Sequence, residues 1–596
     1  MSEIFDNIPQ KLDHLITKVD SGFLGLPDLQ RPFVWSDAKV RDLLDSMMRG
    51  YPIGYLMLWE CPVQESNRTI GANSHGYESP REVIIDGQQR LTSLYAIMKG
   101  QKVINAQFKP KEIIISYNPV HNKFEVANST TKNSVEWIPN ISSLFTSQSP
   151  RRYINDFIDK LEDYRKANGK ELSRDEEDTI SNRIDSLIGF KNYTLPVFSI
   201  KADAEEEDVA EIFVRVNSGG TPLKQNDFIL TLLSLYWDEG RKNIEDFSKD
   251  SLTAPSDGNP TSFNSITAIN PQDMIRVVMA YAFDRARLKY GYKLLRGAQF
   301  DKKGAVDITL RQERFDTLKS KLPDVLNVHS WHEFLKCIMN SGYLSRDMIL
   351  SGNAIFYTYA LYLIAKHRFN AGYNENMHLT SLWFFYASLT SEYAGSFEST
   401  VENHLNSIKT LTSFEDYMDF ILSRVTARLT NDYFDITLLG ADGLAVSGRG
   451  NNAWNAYVAS LNVLNAKILF SKSNLLVSTL FAPGTDGNRK SLEKHHLFPK
   501  AYLKSQGASD SKINQMANYA FIDWKDNMNI LDDAPPKYYP IVCQGRSSED
   551  IARMEEENAL PHGWENMPYD DFLVERRKLM AAKIKQAYEV LKGNVE

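Results

Sequence analysis

Two of the eleven histidines in this 596-residue chain are adjacent, His495 and His496, and Asn518 and Asn527 follow them. Hydrolysis of a phosphodiester needs a base for the attacking water and a cation for the charge that develops on the phosphate. Neighbouring side chains of a strand point to opposite faces, so one imidazole can bind a metal ion while the other takes a proton from water. The pattern indicates a hydrolytic site, although two adjacent histidines alone are more often an incidental pair on a surface turn.

A second candidate site is the stretch IDGQQR at positions 85–90, where an apolar run meets a helical pattern. Gly87 permits a tight turn, and the unpaired N–H groups of the following helix attract anions. Arg90 can add a bidentate contact to phosphate, and Asp86 can hold a metal ion or orient a water. An Asp-Gly turn followed by a solvated arginine is the simpler alternative.

The elements that must position these groups mix strands and helices over the first two hundred residues. Ser36 can cap a helix that stops at Gly50, and the strand 83–85 runs into the DGQQR turn and a helix that ends at Gly100. The remaining elements predicted there are a hairpin over 112–126, charged helices over 153–190 and a strand over 193–200.

Composition divides the chain into three predicted domains. Residues 251–271 are rich in Ser, Thr, Pro, Asn and Gly and are the best candidate linker, and the apolar spacing from 271 to 429 is helical. A polar, Gly-rich stretch at 440–452 precedes the histidine pair. We therefore expect an α+β multidomain protein with domains at 1–250, 251–430 and 431–596.

The composition is that of a globular protein, with 42% hydrophobic and 24% charged residues. The net charge of −8 provides no global basic field, so a DNA-binding footprint would have to be local. The three cysteines form no CxxC pair, and no apolar run reaches the length of about 18 residues that spans a bilayer. We expect a soluble cytoplasmic protein with no membrane partner.

Two basic stretches are candidates for that local footprint. The first interleaves with Tyr290 and Tyr292 and contains Arg285, Arg287, Lys289, Lys293 and Arg296. The second, in the final helical pattern, contains Arg576, Arg577, Lys578, Lys583 and Lys585. Contact with a DNA backbone and a solvated helix face explain each stretch about equally well.

Four separated segments in the first 235 residues resemble one family. They are QRPFVW, YPIG, DGQQRLTSL and FVRVNSGGTPL, and together they are similar to the N-terminal domain of GmrSD-type proteins. The resemblance implies a ParB/sulfiredoxin-like fold that binds and hydrolyses a nucleoside triphosphate, without a P-loop. By position it implies nucleotide-binding roles for Gln30, Arg31, Asp86, Gly87, Gln88, Gln89 and Arg90, with Asp86 and Arg90 also serving hydrolysis.

The segment E-x-HHLFPK followed by N-x8-N, within residues 485–588, resembles the HNH or ββα-metal nuclease motif. By position, His495 matches the first metal ligand and His496 the general base. Asn518 matches the asparagine that braces the loop through backbone hydrogen bonds, and Asn527 matches the last metal ligand. Asn529 and Asp526 compete with Asn527 for that role, and an oxygen ligand there favours Mg²⁺ or Mn²⁺.

Together the two resemblances imply a GmrSD/BrxU-like type IV restriction endonuclease family. Its members cleave modified phage or foreign double-stranded DNA in a nucleotide-dependent reaction, and one nuclease site per chain favours a homodimer for double-strand cleavage. Two alternatives are a phosphorothioation-sensing nicking NTPase of the Ssp type and a non-cutting, ParB-like DNA-binding regulator.

Overall fold

The computed structural model places two compact units along the chain, Met1–Arg241 and Lys242–Glu596. The structure describes residues 4–25, 33, 35–60, 81–105, 110–202, 204, 209, 212, 229–230, 232–233, 236–255, 258–297, 307–447, 451–471, 475–481, 493–522 and 532–595. The boundary between the units falls within helix Asp238–Asp250. The three domains predicted at 1–250, 251–430 and 431–596 stay a prediction.

A five-stranded mixed sheet organises the first unit. In spatial order its strands are Phe5–Asn7, Val197–Ile200, Leu56–Glu60, Glu82–Asp86 and Leu24–Gly25. The central pair is antiparallel and aligns Asp86 with Met57. Ile84 packs into the main core of the unit, whereas Ile85 packs into a smaller cluster with Trp59 and Ile200. This strand is covered on both sides, which explains its uninterrupted apolar run.

Helices and short strand pairs complete the first unit. The helices are Leu12–Asp20, Asp37–Met48, Gln88–Lys99, Ser129–Asn133, Ser142–Thr146, Pro150–Ala167 and Arg174–Ile188. The strand pairs are Gln10–Lys11 with Thr194–Leu195, Val103–Ile104 with Pro110–Lys111, and Ile115–Asn118 with Lys123–Val126. Mixed α+β architecture is therefore confirmed, and the ParB/sulfiredoxin-like fold stays a prediction.

Capping residues and glycines in the sequence correctly predicted several helix ends of the first unit. Ser36 caps its helix by accepting a hydrogen bond from the Lys39 N–H at 3.4 Å. Gly100, with φ +65°, ends the helix that follows the DGQQR turn. The strand predicted over 193–200 is divided at Pro196, because proline cannot donate to a sheet hydrogen bond.

The second unit is mostly helical. Its helices up to residue 463 are Pro271–Phe283, Leu288–Leu295, Ile308–Val325, Val328–Asn340, Gly352–His367, Tyr373–Leu389, Phe397–Ile408, Phe414–Arg428 and Asn452–Val463. Helix Tyr373–Leu389 is central and contacts Val328–Asn340, Gly352–His367, Asn452–Val463 and Tyr569–Gly593. Its burial on almost every side follows from its apolar composition.

The end of the second unit contains an antiparallel strand pair, Glu493–His496 with Tyr519–Ile522. A 3₁₀ turn, Met516–Asn518, immediately precedes the second strand. The helices of this part are Lys500–Ser505, Asp510–Ile513, Pro535–Val542, Ser548–Glu557 and Tyr569–Gly593. Two of these helices, Lys500–Ser505 and Asp510–Ile513, lie between the paired strands, and the predicted ββα-metal nuclease fold stays a prediction.

The segment predicted as a linker, 251–271, instead packs within the second unit. Ser262 is buried and donates a hydrogen bond to the Phe247 carbonyl, and its own carbonyl accepts one from the Trp331 indole at 3.2 Å. Ile266 and Ile269 are also buried. The linker interpretation is wrong because a polar, turn-forming composition is shared by flexible connectors and ordered loops.

Within the described residues, no helix combines the length and apolar character needed to cross a membrane.

Candidate functional site

The stretch 85–90 forms the strand-to-helix turn that its sequence predicts. Strand Glu82–Asp86 ends at Asp86, Gly87 follows with φ +92°, and helix Gln88–Lys99 begins at the next residue. This helix has no side-chain cap hydrogen bond at its N-terminus. The turn therefore brings together a carboxylate and a helix start, the two groups on which the nucleotide prediction depends.

Arg90 binds the backbone that leads into the neighbouring strand. Its Nη1 donates hydrogen bonds to the carbonyl oxygens of Ile53 at 3.1 Å and Tyr55 at 2.6 Å. Its Nη2 lies 3.5 Å from an Asp86 carboxylate oxygen, and its side chain is 19% exposed. Gly54 lies close against this guanidinium, since a Cβ there would stand 2.5 Å from Nη1. Arg90 thus orders this loop around the turn, and its phosphate contact stays a prediction.

Gly87 is required both by its backbone angle and by the surrounding space. A Cβ there would lie 2.4 Å from Leu56 Cδ2 and 3.1 Å from the Tyr55 carbonyl oxygen. We expect Gly87→Ala to lower the free energy of unfolding by about 2–4 kcal/mol, from left-handed strain and overpacking together. Chemical denaturation of the full chain, followed by circular dichroism, measures the change.

Gly50→Ala is the matched control, because Gly50 also has a positive φ, +72°, but nothing lies within 4 Å of its Cβ position. We expect this variant to lower the free energy of unfolding only by the cost of left-handed strain, about 1–2 kcal/mol. Equal losses in the two variants would contradict the close approach of Leu56 to Gly87.

Tyr55 is a residue of this turn that sequence reasoning missed, although it directly follows the YPIG segment. Its ring lies edge-on to Phe198, with centroids 5.3 Å apart. Burial raises the pKa of the Tyr55 hydroxyl, and the Asp86 charge raises this pKa further. The hydroxyl therefore stays protonated near neutral pH and can donate a hydrogen bond at the turn.

The other residues predicted for nucleotide binding are only partly accounted for. Gln88 and Gln89 are half-buried, with Gln89 Nε2 3.5 Å from Gln88 Oε1. Gln30 and Arg31 lie outside the described residues, as does the stretch 213–223. Their roles stay predictions.

The histidine pair lies on the first strand of the C-terminal strand pair. His495 is buried, and its ring lies edge-on to Tyr538 with centroids 6.4 Å apart. The half-buried His496 has its ring 4.5 Å from that of Tyr519, on the neighbouring strand. The two imidazoles have different surroundings, as expected for successive positions of a strand.

Asn518 is fully buried and joins the two ends of the loop between the strands. Its Oδ1 accepts a hydrogen bond from the Phe498 N–H at 2.8 Å. Its Nδ2 donates to the carbonyl oxygens of Phe498 at 3.1 Å and Ile513 at 3.0 Å. The Asn518 carbonyl accepts from the Leu497 N–H at 2.8 Å. These are backbone hydrogen bonds of the bracing kind that the resemblance implies for this asparagine, and its importance for catalysis stays a prediction.

Asn514 is a second residue that sequence reasoning missed. His496 Nε2 and Asn514 Oδ1 are 3.1 Å apart, and the Tyr519 hydroxyl donates to the same oxygen at 3.0 Å. No position of the quoted motif marks Asn514, and its only sequence signal is an asparagine four residues before Asn518. The structure thus adds a polar contact to the residue predicted as the base.

The final helix, Tyr569–Gly593, supports this loop with two arginines. Arg576 Nη1 donates to the Ala517 carbonyl at 2.7 Å, and Arg577 Nη2 donates to Gln515 Oε1 at 2.7 Å. Burial lowers the pKa of the Arg576 guanidinium. Arg576 has no exposed surface. Both interpretations of this residue, as a DNA contact and as part of a solvated helix face, are therefore wrong.

The arginines at the start of the first basic stretch contact protein groups. Arg285 Nη1 forms an ion pair with the buried Glu402 at 2.7 Å, and Arg287 Nη2 donates to Ser399 Oγ at 2.8 Å. The backbone N–H of Arg287 also donates to Glu402, at 3.1 Å. Both arginines therefore help to join this stretch to helix Phe397–Ile408.

The remaining cations of that stretch differ in exposure. Lys289 and Lys293 are exposed and stand one turn apart on helix Leu288–Leu295, whereas Arg296 is half-buried. Side chains four residues apart lie on the same helix face. The DNA contact of the stretch stays a prediction, for which the two lysines are the most accessible groups.

Of the two predicted metal ligands, the structure describes only His495. Asn527 and its competitors Asn529 and Asp526 lie outside the described residues. Over the part of the chain that is described, no group of three His, Cys, Asp or Glu side chains is arranged to hold a metal ion. An amide oxygen is a ligand type that suits Mg²⁺ and Mn²⁺, whereas an imidazole nitrogen is more typical of Zn²⁺ and other transition metals, and metal binding stays a prediction.

The second unit also contains a cavity of about 340 Å³, whose lining residues include His378, Asn462 and Asn594. None of the residues predicted for catalysis, metal binding or DNA contact lines this cavity.

Comparison with known proteins bears on the first unit, where the DGQQR turn lies. Residues 12–234 match the model of the GmrSD restriction endonuclease N-terminal domain. The match supports a GmrSD-type restriction endonuclease family for this region, which makes a nuclease plausible. It covers less than half of the chain and does not reach the histidine pair.

One relative aligns along nearly the whole chain. It is the uncharacterized protein MJ0686 of Methanocaldococcus jannaschii, 21% identical over 575 residues, which are 91% of this chain and 88% of that protein. The alignment extends through most of both units.

Proposed function

We propose that this protein is a nucleotide-dependent endonuclease that cleaves modified phage or foreign DNA by metal-assisted hydrolysis. The observation that carries the proposal is the arrangement around His496. Its imidazole contacts Asn514, and Asn518 braces the loop that follows the strand on which His496 lies. The match of residues 12–234 to a restriction endonuclease domain supports the same conclusion.

In the proposed reaction, His496 is the general base. Its imidazole takes a proton from a water molecule, and the resulting hydroxide forms a new bond to phosphorus. One P–O ester bond of the DNA backbone breaks, and the leaving oxygen takes a proton from solvent. The Asn518 brace contributes by fixing Leu497 and Phe498, the two residues that directly follow the base.

His495 and Asn527 would hold Mg²⁺ or Mn²⁺ in this proposal. The ion supplies positive charge for the phosphate oxygens as negative charge develops on them. The burial of His495 and its ring contact with Tyr538 restrict the orientation of the imidazole, which favours binding of a metal at a fixed position.

The DGQQR turn is the proposed nucleotide site, and DNA cleavage would require the bound nucleotide. Phosphate oxygens would accept hydrogen bonds from the first turn of helix Gln88–Lys99, and Asp86 would bind the accompanying Mg²⁺. Because Arg90 already holds two carbonyls and lies next to Asp86, its role includes shaping this turn. Asp86 is therefore the cleaner residue for a test.

The test of the proposed function is cleavage of a panel of DNAs by the full chain. The panel contains unmodified, methylated, hydroxymethylated, glucosylated and phosphorothioated duplexes, each with Mg²⁺ or Mn²⁺ and with or without each NTP. We expect cleavage of at least one modified DNA only when an NTP is present. Equal cleavage of every DNA without nucleotide would contradict both dependences, and nicking controlled by phosphorothioation would favour the Ssp-type alternative.

The Asp86→Ala protein tests the nucleotide site within the same assay. We expect NTP hydrolysis, measured as phosphate release, to fall about a hundredfold, because one preorganised charged group is removed. Asp42→Ala is the matched control, since Asp42 is exposed on helix Asp37–Met48 and pairs only with the neighbouring Arg41 among the described contacts. Wild-type hydrolysis by Asp86→Ala would remove this turn from the nucleotide site.

A further inference from the structure

The contacts of Asn514 determine which nitrogen of His496 carries its proton. A side-chain amide oxygen has two acceptor positions and donates nothing. Asn514 Oδ1 lies 3.0 Å from the Tyr519 hydroxyl and 3.1 Å from His496 Nε2. With the tyrosine hydroxyl donating to one position, the imidazole Nε2 must donate to the other. The hydrogen-bonded neutral ring is therefore the tautomer with its proton on Nε2.

We propose that Asn514 is the positioning residue that holds His496 in this tautomer, so that Nδ1 is the nitrogen that takes the proton from water. This inference rests on the proposed role of His496 as the base. A neutral imidazole has one basic nitrogen, and the hydrogen bond at the other nitrogen selects which one it is. Tyr519 assists, because its hydroxyl keeps the amide oxygen of Asn514 turned toward the imidazole and its ring lies beside that of His496.

The final helix contacts the residues on both sides of Asn514. Before it, the Tyr569 hydroxyl donates to the Lys512 carbonyl at 2.9 Å, and the Lys512 ammonium pairs with Asp570 at 2.7 Å. After it, Arg577 Nη2 binds Gln515 Oε1 at 2.7 Å. A base that is oriented through a short loop needs such support, because small displacements of catalytic groups cost much of the rate.

The side chain of Asn514 is not needed to end the short helix on which it lies. Helix Asp510–Ile513 is closed by the backbone N–H of Asn514, which donates to the Asp510 carbonyl at 3.0 Å. Any residue other than proline retains that bond. The amide oxygen is thus available to orient His496, and a substitution there separates orientation from folding.

Asn514→Leu tests the inference, because leucine has a similar size and no acceptor. We expect kcat for DNA cleavage to fall about 10²-fold, since the imidazole is then released to the wrong tautomer, while DNA affinity stays within about twofold. Asn514→Asp retains an acceptor oxygen, and we expect it to keep cleavage within about tenfold of the wild type. Asn403→Leu is the matched control, since Asn403 is exposed on helix Phe397–Ile408.

Nitrogen-15 NMR of the histidine-labelled wild-type protein tests the same inference without any substitution of Asn514. The signal of His496 is assigned by its loss in His496→Ala, and we expect the proton of the neutral ring on Nε2. A proton on Nδ1, or wild-type cleavage by a folded Asn514→Leu protein, would overturn the role of Asn514. Wild-type cleavage by His496→Ala would instead overturn the proposed function, so the two failures are distinguishable.

Discussion

The His496→Ala protein is expected to cleave DNA at least about a hundredfold more slowly than the wild type, at unchanged DNA affinity. Removal of the imidazole leaves the attacking water without a proton acceptor, and general-base catalysis contributes about 10²–10⁴ to such rates. The side chain is half-buried, and the backbone pairing of strand Glu493–His496 with Tyr519–Ile522 does not require the imidazole, so the strand pair should tolerate the loss. Single-turnover cleavage of supercoiled plasmid carrying the recognised modification, with Mg²⁺ or Mn²⁺ and NTP, measures the effect.

His562→Ala is the matched control for this variant, because the His562 side chain is 99% exposed in the same unit of the protein. Its cleavage rate should equal that of the wild type. Unchanged cleavage by His496→Ala would rule out the assigned base. A wild-type protein that binds DNA in an NTP-dependent manner, yet cuts no DNA of the panel, would favour the non-cutting ParB-like regulator.

Features that depend on local sequence were predictable at both candidate sites. The DGQQR turn follows from an apolar strand run, a glycine that accepts φ +92° and a helical pattern that ends at Gly100. The opposite orientation of the two histidines follows from strand alternation. In each case the residues that determine the conformation lie within about a dozen positions of one another, so the local conformation depends little on tertiary packing.

Features that depend on distant partners were not predictable from spacing. Arg576 lies in a basic run, yet it is buried because the loop that ends at Asn518 packs onto the final helix. Asn514 became a candidate only when the strand pair brought Tyr519 and His496 to the same amide oxygen. A basic run and a single asparagine look the same in sequence whether they are solvated or packed.

The two sites also show that a residue in a motif can serve shape as well as chemistry. Arg90 matches the family motif, and it orders the loop around Gly54 through two carbonyl contacts. Loss of activity in an Arg90 variant would therefore have two physical explanations, altered phosphate binding and an altered loop. Variants of Asp86 and His496 are easier to interpret. The described polar contacts of these two side chains are to the side chains of Arg90 and Asn514.

Asn518→Ala is expected to lower the free energy of unfolding of the second unit by about 3–5 kcal/mol. The substitution removes three buried hydrogen bonds, one from the Phe498 N–H and two to the carbonyls of Phe498 and Ile513. The Ile513 carbonyl keeps a longer hydrogen bond from the Tyr569 hydroxyl, at 3.4 Å. Each such loss costs about 1–3 kcal/mol. Cleavage should fall too, because the loop that follows His496 loses its brace. Denaturant unfolding of the full chain, monitored by tryptophan fluorescence, measures the change in stability.

Asn403→Ala is the matched control for this loss, because Asn403 is exposed on helix Phe397–Ile408 and its change should stay within about 0.5 kcal/mol. A stability of Asn518→Ala within that same range would contradict the brace. The contrast with His496→Ala is informative as well. If the base and the brace are different functions, removal of the base lowers cleavage at nearly constant stability, whereas removal of the brace lowers both together.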